Sequence, residues 1–313
     1  MGQSIVMAHK GLFERLLEKT QKLKNFSYVR HERYPQLDLG IREEDFLYEL
    51  EKINPTNLFL GRFTREELDN VFQQVGLWKL LAERGFTKHI LVVDASNVLE
   101  HHLSIYDEIE QPDHLLIEIR LREGVFRPKK CFVPGMKDIT DVPMILIDWL
   151  CLQNPRKDFS KDKPKLVHQR KPGLGIFYQF ANLVDLLAVS VRKEAVMDIP
   201  EHYHGALLYS KLFHFWDPAI EGRLLAMKRD FASMPLDKIT WAVFMDCCLN
   251  ADTGEVEKWH PAEQIKPVSD RMKAYFSHPE YKRQVDEAFN SLRFRIDEQK
   301  FQTAIKELAD KIG

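Results

Sequence analysis

The 313-residue sequence has only four cysteines, Cys131, Cys151, Cys247 and Cys248, and no CxxC pair. Cys247 and Cys248 are adjacent, and such neighbours rarely bridge each other, so the pattern argues against a disulfide framework and for buried thiols in a reducing compartment. Long apolar runs are also missing. Nothing approaches the roughly 18 uninterrupted apolar residues of a membrane span. The opening "MGQSIVMAHKGLFERLLEKTQKLK" lacks the apolar core of a signal peptide, and Val6 stands where myristoylation wants Ser or Thr. A cytoplasmic protein without a membrane partner is expected. The net charge of -2 gives no global field for nucleic acid. GxxxxGK[ST], GxGxxG after a first strand, and HExxH are all absent, which argues against the common phosphate-transfer, dinucleotide and zinc-protease sites. There is no internal repeat and no low-complexity tract.

What is present is a balanced apolar content, 44% of residues, ample for a real core. A cationic amphipathic helix (about 8–24) and a second helix, "REEDFLYELEKI", are expected in residues 1–60, read as a helical N-terminal extension. Thr64 with Glu67 three residues on forms a capping-box start. Leu68, Val71, Phe72, Val75, Trp78 and Leu81 then recur at helical spacing, and Gly85 stops the helix.

Strand signals follow in "HILVVDA", "HHLSIYD" and "HLLIEIRLREG", the last with Glu118, Arg120 and Arg122 on one wet face. "VPMILIDWLCLQNP" is the most apolar strand candidate and should be central, buried on both faces. A lysine-rich loop separates it from "QRKPGLG" and the helical pattern Phe177, Phe180, Leu183, Val184, Leu187, Val191. "VMDIP" reads as a short strand, "EHYHGALLYSKLFHF" as a helix running into a strand, "DPAIEGRLLAMKRDF" as a helix and "ITWAVFMDCCL" as a strand. The last 45 or so residues read as mostly helical.

The glycine loop has a physical use. The first N–H groups of a helix lack internal partners and carry partial positive charge. Glycines let an anion approach that backbone closely. Arg170 and Lys171 would add charge at the rim.

The spacing Arg170-x-x-Gly173-x-Gly175 after a buried strand resembles the signature loop of the GNAT acyltransferase superfamily. The segment "YHGALLYSKLFHF" is similar to that family's N-x-x-A-x-x-L/F-Y-x-x-x-G-F helix, with Ala206, Leu208, Tyr209 and Phe213 on matching positions. Tyr203 stands where asparagine is usual and Leu212 where glycine is usual. Residues 155–169 also lengthen a connection that is normally short.

The resemblance implies a mixed, mostly antiparallel α/β (α+β) sheet flanked by helices, over residues 61–250. Residues 251–313 would form a C-terminal, mostly helical extension. "MILIDWLCL" and "AVMDIP" would be a parallel, splayed pair. It further implies acetyl-coenzyme A, or another acyl-coenzyme A, as co-substrate, with no metal. Its pyrophosphate would lie at Gly173, Leu174, Gly175 and Ile176 with Arg170 at the rim. Leu150, Cys151, Leu152 and Gln153 would meet the pantetheine by main chain. Tyr209 would protonate the departing thiolate. Read from the residues themselves, "EHYH" offers Glu201, His202 and His204 beside one another, one of which can serve as general base for an amine acceptor, a small molecule or a protein.

Alternatives stay open at this point. The loop can be a plain helix-start turn, Tyr209 a core aromatic, and Cys151 a structural thiol. The module can bind acyl-coenzyme A without turnover, or act by protein contact. In the acyltransferase reading the terminal extensions would shape the acceptor side or form a homodimer contact. Glu201, His202, His204 and His214 can be read as metal ligands, although histidines two apart on a helix diverge. His101 and His102, on a strand, should point to opposite sides.

Overall fold

The computed structural model describes residues 58–97, 100–160 and 162–312, and the two helices expected before residue 55 lie outside them. The capping box is in place. Thr64 accepts from the Glu67 N–H at 3.1 Å and Glu67 from the Thr64 N–H at 2.8 Å. The helix it starts does not run to Gly85. It ends as α1 (Arg65–Gln74), and α2 (Leu77–Ala82) follows after Gly76 at φ 77°. A left-handed residue cannot continue a right-handed helix, and glycine takes that conformation at little cost.

Four antiparallel strands follow as a meander: β1 (His89–Asn97), β2 (Glu100–Asp107), β3 (Leu115–Phe126) and β4 (Val142–Leu152). Next come α3 (Phe177–Ser190), β5 (Ala195–Asp198), α4 (Tyr203–Tyr209) and β6 (His214–Phe215). The remaining elements are α5 (Pro218–Asp230), α6 (Leu236–Phe244), β7 (Cys248–Asn250), β8 (Gln264–Pro267), α7 (Asp270–Ser277), α8 (Pro279–Ser291), β9 (Phe294–Ile296) and α9 (Glu298–Ile312).

The main sheet has the order β1-β2-β3-β4-β5-β8-β6, and β7 pairs with β9 in a small second sheet. Among the described residues β4–β5 is the one parallel pair, from Met144↔Ala195 to Ile147↔Asp198. The sheet is therefore mixed and mostly antiparallel. β8 comes from the segment expected as a C-terminal extension, yet it lies inside the sheet between β5 and β6.

Strand alternation splits β4 between two cores. Ile145 and Ile147 join Leu68, Phe72 and Leu81 of α1–α2 and Leu183, Val184 and Leu187 of α3. Met144 and Leu146 join Met272 and Tyr275 of α7 on the other face. β4 is thus central, as its composition requires, but buried on both faces only in its first half; Trp149 is 43% exposed. A third core is built from α4, α5, α6 and α9.

The expected strand "ITWAVFMDCCL" is mostly a helix. Residues 236–244 form α6, and only Cys248–Asn250 are extended. A short apolar run rich in β-branched and aromatic residues does not reveal its period, and burial of Ile239, Trp241, Ala242 and Val243 in the third core overrides local β preference. The charged face of β2–β4 is a half-buried lattice rather than a wet surface. Arg122 pairs with both Glu100 and Asp148, Glu100 with His102, and Glu118 with Arg120.

Candidate functional site at the β4–β5 splay

β5 ends at Asp198, opposite Ile147, while β4 continues to Leu152. On its other edge β4 stays paired with β3, but Arg120↔Trp149 is followed by Leu121↔Ile147, so Asp148 is an extra, bulged residue. A bulge increases local twist, and here it falls where the two strands part.

The glycine loop is stitched into the edge that β5 vacates. The Leu174 N–H donates to Leu152 O at 3.1 Å, the Asn154 N–H donates to Pro172 O at 2.7 Å, and Gln153 bridges Gly173. Gln153 itself points the other way, its N–H donating to Leu116 O at 2.9 Å. By strand alternation the N–H and C=O of Leu150 and the N–H of Leu152 face the open edge.

The loop's donors divide into two sets. Leu174's N–H is engaged by β4. The N–H groups of Gly175, Ile176, Phe177, Tyr178 and Gln179 meet no acceptor among the described residues, and Ile176 caps α3 without a side-chain bond. The free run therefore lies one to five residues beyond Leu174, at the start of a 14-residue helix. The two glycines have different jobs. Gly175 sits at φ 70°, a conformation L residues rarely adopt, whereas a side chain at Gly173 would meet only Leu152 O, 3.6 Å from its Cβ.

Arg170 is exposed, and no carboxylate pairs with it among the described residues. Burial pushes the Cys151 thiol up to about 12, with Glu118 adding and Arg170 opposing. Such a thiol stays protonated and is a poor nucleophile. Leu150 and Leu152 pack on the first core, and the Gln153 amide donates to Leu115 O at 3.1 Å, so that side chain is tied to β3.

Tyr209, the last residue of α4, lies against the helix that the loop opens. Its ring meets Phe177 edge-on at 5.1 Å and Phe213 at 4.9 Å. Glu201 and His202 precede α4 and are half-buried. The His202 ring stacks on His168 at 4.8 Å and on His204 at 5.6 Å, with Phe244 edge-on to both His202 and His168.

Parallel stacked imidazoles direct their in-plane lone pairs side by side, not at one point. Among the described residues no three His, Cys, Asp or Glu side chains are arranged to hold a metal ion. His214 is elsewhere, against Glu221 at 3.4 Å. His101 is buried and accepts the Leu60 N–H at 3.1 Å, while His102 pairs with Glu100 on the opposite face, as alternation requires.

Two residues that the sequence did not single out matter here. His168 reaches His202 from the lysine-rich loop with φ 60°. Arg84, at the end of α2, holds the glycine loop: Nε donates to Leu174 O at 3.0 Å and Nη2 to Gly175 O at 3.2 Å. Sequence spacing carries no signal for a contact across 90 residues. No helix of the described residues is long and apolar enough to cross a membrane. Compared with models of known protein families and with curated protein sequences, the chain matches none.

His204 provides a prediction independent of function. Burial, with His168 adding to it, lowers its imidazole to about 4, and Nδ1 has no hydrogen-bond partner among the described residues. Above pH 6.5 the ring is neutral folded or unfolded. Between about 6.5 and 4 only the unfolded chain takes the proton, so stability falls with pH, by up to about 3 kcal/mol at the lower end. Urea melts of wild type and His204→Gln between pH 7.5 and 4.5 should diverge, the variant losing less stability. Parallel slopes would show that His204 is not held neutral.

Proposed function

We propose that the chain is an acyl-coenzyme A-dependent N-acyltransferase of GNAT type, passing an acetyl group to an amine. The observation that carries this reading is the parallel β4–β5 pair, which ends beside a bulge in β4, with the glycine loop stitched to the edge beyond it and five N–H groups that follow without acceptors among the described residues. The extended main-chain groups of Leu150 and Leu152 suit an amide-bearing arm such as pantetheine, and the N–H run suits a pyrophosphate. The site has room for close approach at both glycines.

In this reading a neutral amine attacks the thioester carbonyl. The N–C bond forms, the C–S bond breaks, and the sulfur leaves as a thiolate. A backbone N–H of the splayed edge polarises the carbonyl oxygen. Tyr209 gives its proton to the thiolate, and Glu201 or His202 takes the proton that the attacking nitrogen sheds. Glu221 and the charged lattice on β2–β4 have structural partners and no step in this scheme.

A second reading, a coenzyme-binding module without turnover, is favoured by one feature: Tyr209 is buried between two phenylalanine rings, 8% exposed. Coenzyme affinity with no acyl transfer to any amine would select it.

The test of the common ground is calorimetric titration of acetyl-coenzyme A into wild type and Gly173→Val. At Gly173 a Cβ makes only an ordinary contact and the backbone is not left-handed, so the melting temperature should stay within about 2 °C. The valine side chain lies between ligand and backbone, and affinity should drop roughly tenfold or more, the size of one lost charge-assisted hydrogen bond. Equal binding by the two proteins would reduce the loop to a turn.

A further inference from the structure

Arg84 is fixed before its side chain begins to act. Its N–H donates to Leu81 O at 3.0 Å, and the chain closes behind it with the Phe86 N–H on the same carbonyl, also at 3.0 Å. Nη1 then donates to Leu80 O at 3.0 Å, which sets the guanidinium plane against the end of α2. The remaining two contacts are to consecutive loop carbonyls, Leu174 and Gly175.

That pair of contacts has a geometric consequence. In a trans peptide the C=O and the following N–H point in opposite directions, and the described residues contain no cis bond. Drawing the Leu174 and Gly175 carbonyls toward Arg84 therefore turns the N–H groups of Gly175 and Ile176 away from it. The N–H groups of Phe177, Tyr178 and Gln179, which follow directly, also lack acceptors among the described residues.

The charge adds to this. No carboxylate pairs with Arg84 among the described residues. A cation on the oxygen end of a peptide unit polarises it and makes the N–H end a stronger donor. An arginine fork can hold two neighbouring carbonyls at once, whereas an ammonium offers a single point charge.

We propose that Arg84 is the positioning residue of the anion-binding loop: it holds the two peptide units whose N–H groups receive the coenzyme pyrophosphate. The ligand in this statement rests on the acyltransferase reading above; the hold on the loop rests on the geometry alone.

The experiment compares wild type, Arg84→Lys and Arg84→Met as full chains. Calorimetry measures acetyl-coenzyme A and S-acetyl-pantetheine, which lacks the pyrophosphate. Amide resonances of Gly175 and Ile176 are followed without ligand. Arg84→Met should lose roughly ten- to a hundredfold in affinity for acetyl-coenzyme A and nothing for S-acetyl-pantetheine. Arg84→Lys should fall between, and both amide resonances should move in the free Met variant.

An equal loss for both ligands would mark a general structural role and overturn the proposal. So would an Arg84→Met protein that binds acetyl-coenzyme A like wild type. Unmoved resonances would overturn the hold on the loop by itself. A wild type that binds neither ligand, with resonances that still move in Arg84→Met, would overturn the coenzyme reading and leave only that hold.

Discussion

Tyr209→Phe is expected to cut acyl transfer by about 10²–10⁴-fold while leaving coenzyme affinity nearly unchanged. The substitution keeps the ring, and with it the edge-on contacts to Phe177 and Phe213 that join α4 to the start of α3. Only the hydroxyl is lost. If that hydroxyl is the acid for the departing thiolate, its removal is felt in the transition state and not in the bound ground state, so kcat falls and Kd does not. In that reading the departing thiolate, whose thiol has an ordinary pKa of about 8.5, takes its proton from a weak acid of the phenol class, which a phenylalanine cannot supply. The opposite pattern, lower stability with an unchanged rate, would give Tyr209 a packing role only and favour the coenzyme-binding module.

Gly222→Ala should cost the fold about 3 kcal/mol, lowering the melting temperature by on the order of 10 °C. α5 crosses α8 here with no room for a side chain. A Cβ at Gly222 would lie 2.4 Å from Val285 O, 2.6 Å from Ala288 Cβ and 2.9 Å from Phe289 N. Two of those atoms are helix backbone, so relief requires moving a whole helix and not a rotamer. Alanine gains about 1 kcal/mol of helix propensity over glycine, but that cannot offset a backbone overlap of this size.

The two helices are also locked nearby. Arg229 donates to Phe289 O at 2.7 Å and Leu292 O at 2.6 Å, so they cannot easily slide apart. Thermal unfolding of Gly222→Ala checks the effect, with Gly135→Ala, where a Cβ would meet nothing within 4 Å, as the control. Melting temperatures that agree for the two variants would mean that the crossing relaxes freely.

Much of the fold was legible from local patterns. Thr64 and Glu67 marked a helix start because a capping box needs only four consecutive residues. The alternation in β2 and β3 announced half-buried strands because side chains change face at every residue, and His101 and His102 went to opposite faces for the same reason. The apolar continuity of β4 placed it in mid-sheet, whereas its parallel pairing with β5 was expected only from the family resemblance.

The site was less legible. Gly173 and Gly175 were visible as a pair, but not that a Cβ at the first would meet only Leu152 O while the second takes a left-handed turn. Leu174 was grouped with the free donors, and its N–H is in fact held by Leu152 O.

By itself, then, the sequence determined what depends on neighbours along the chain: the caps, the strand alternation, the glycine turn and the helix after it. The tertiary structure alone decided what depends on neighbours across space. It made "ITWAVF" a helix because a third core buried it, broke the first helix at Gly76, and placed β8 between β5 and β6. It also brought Arg84 to the loop carbonyls and His168 onto His202. The reason is physical. Periodicity and capping are short-range constraints written in consecutive residues, whereas a hydrogen bond between residues 84 and 174 or a helix crossing too close for a Cβ exists only once the cores have formed and fixed which surfaces meet.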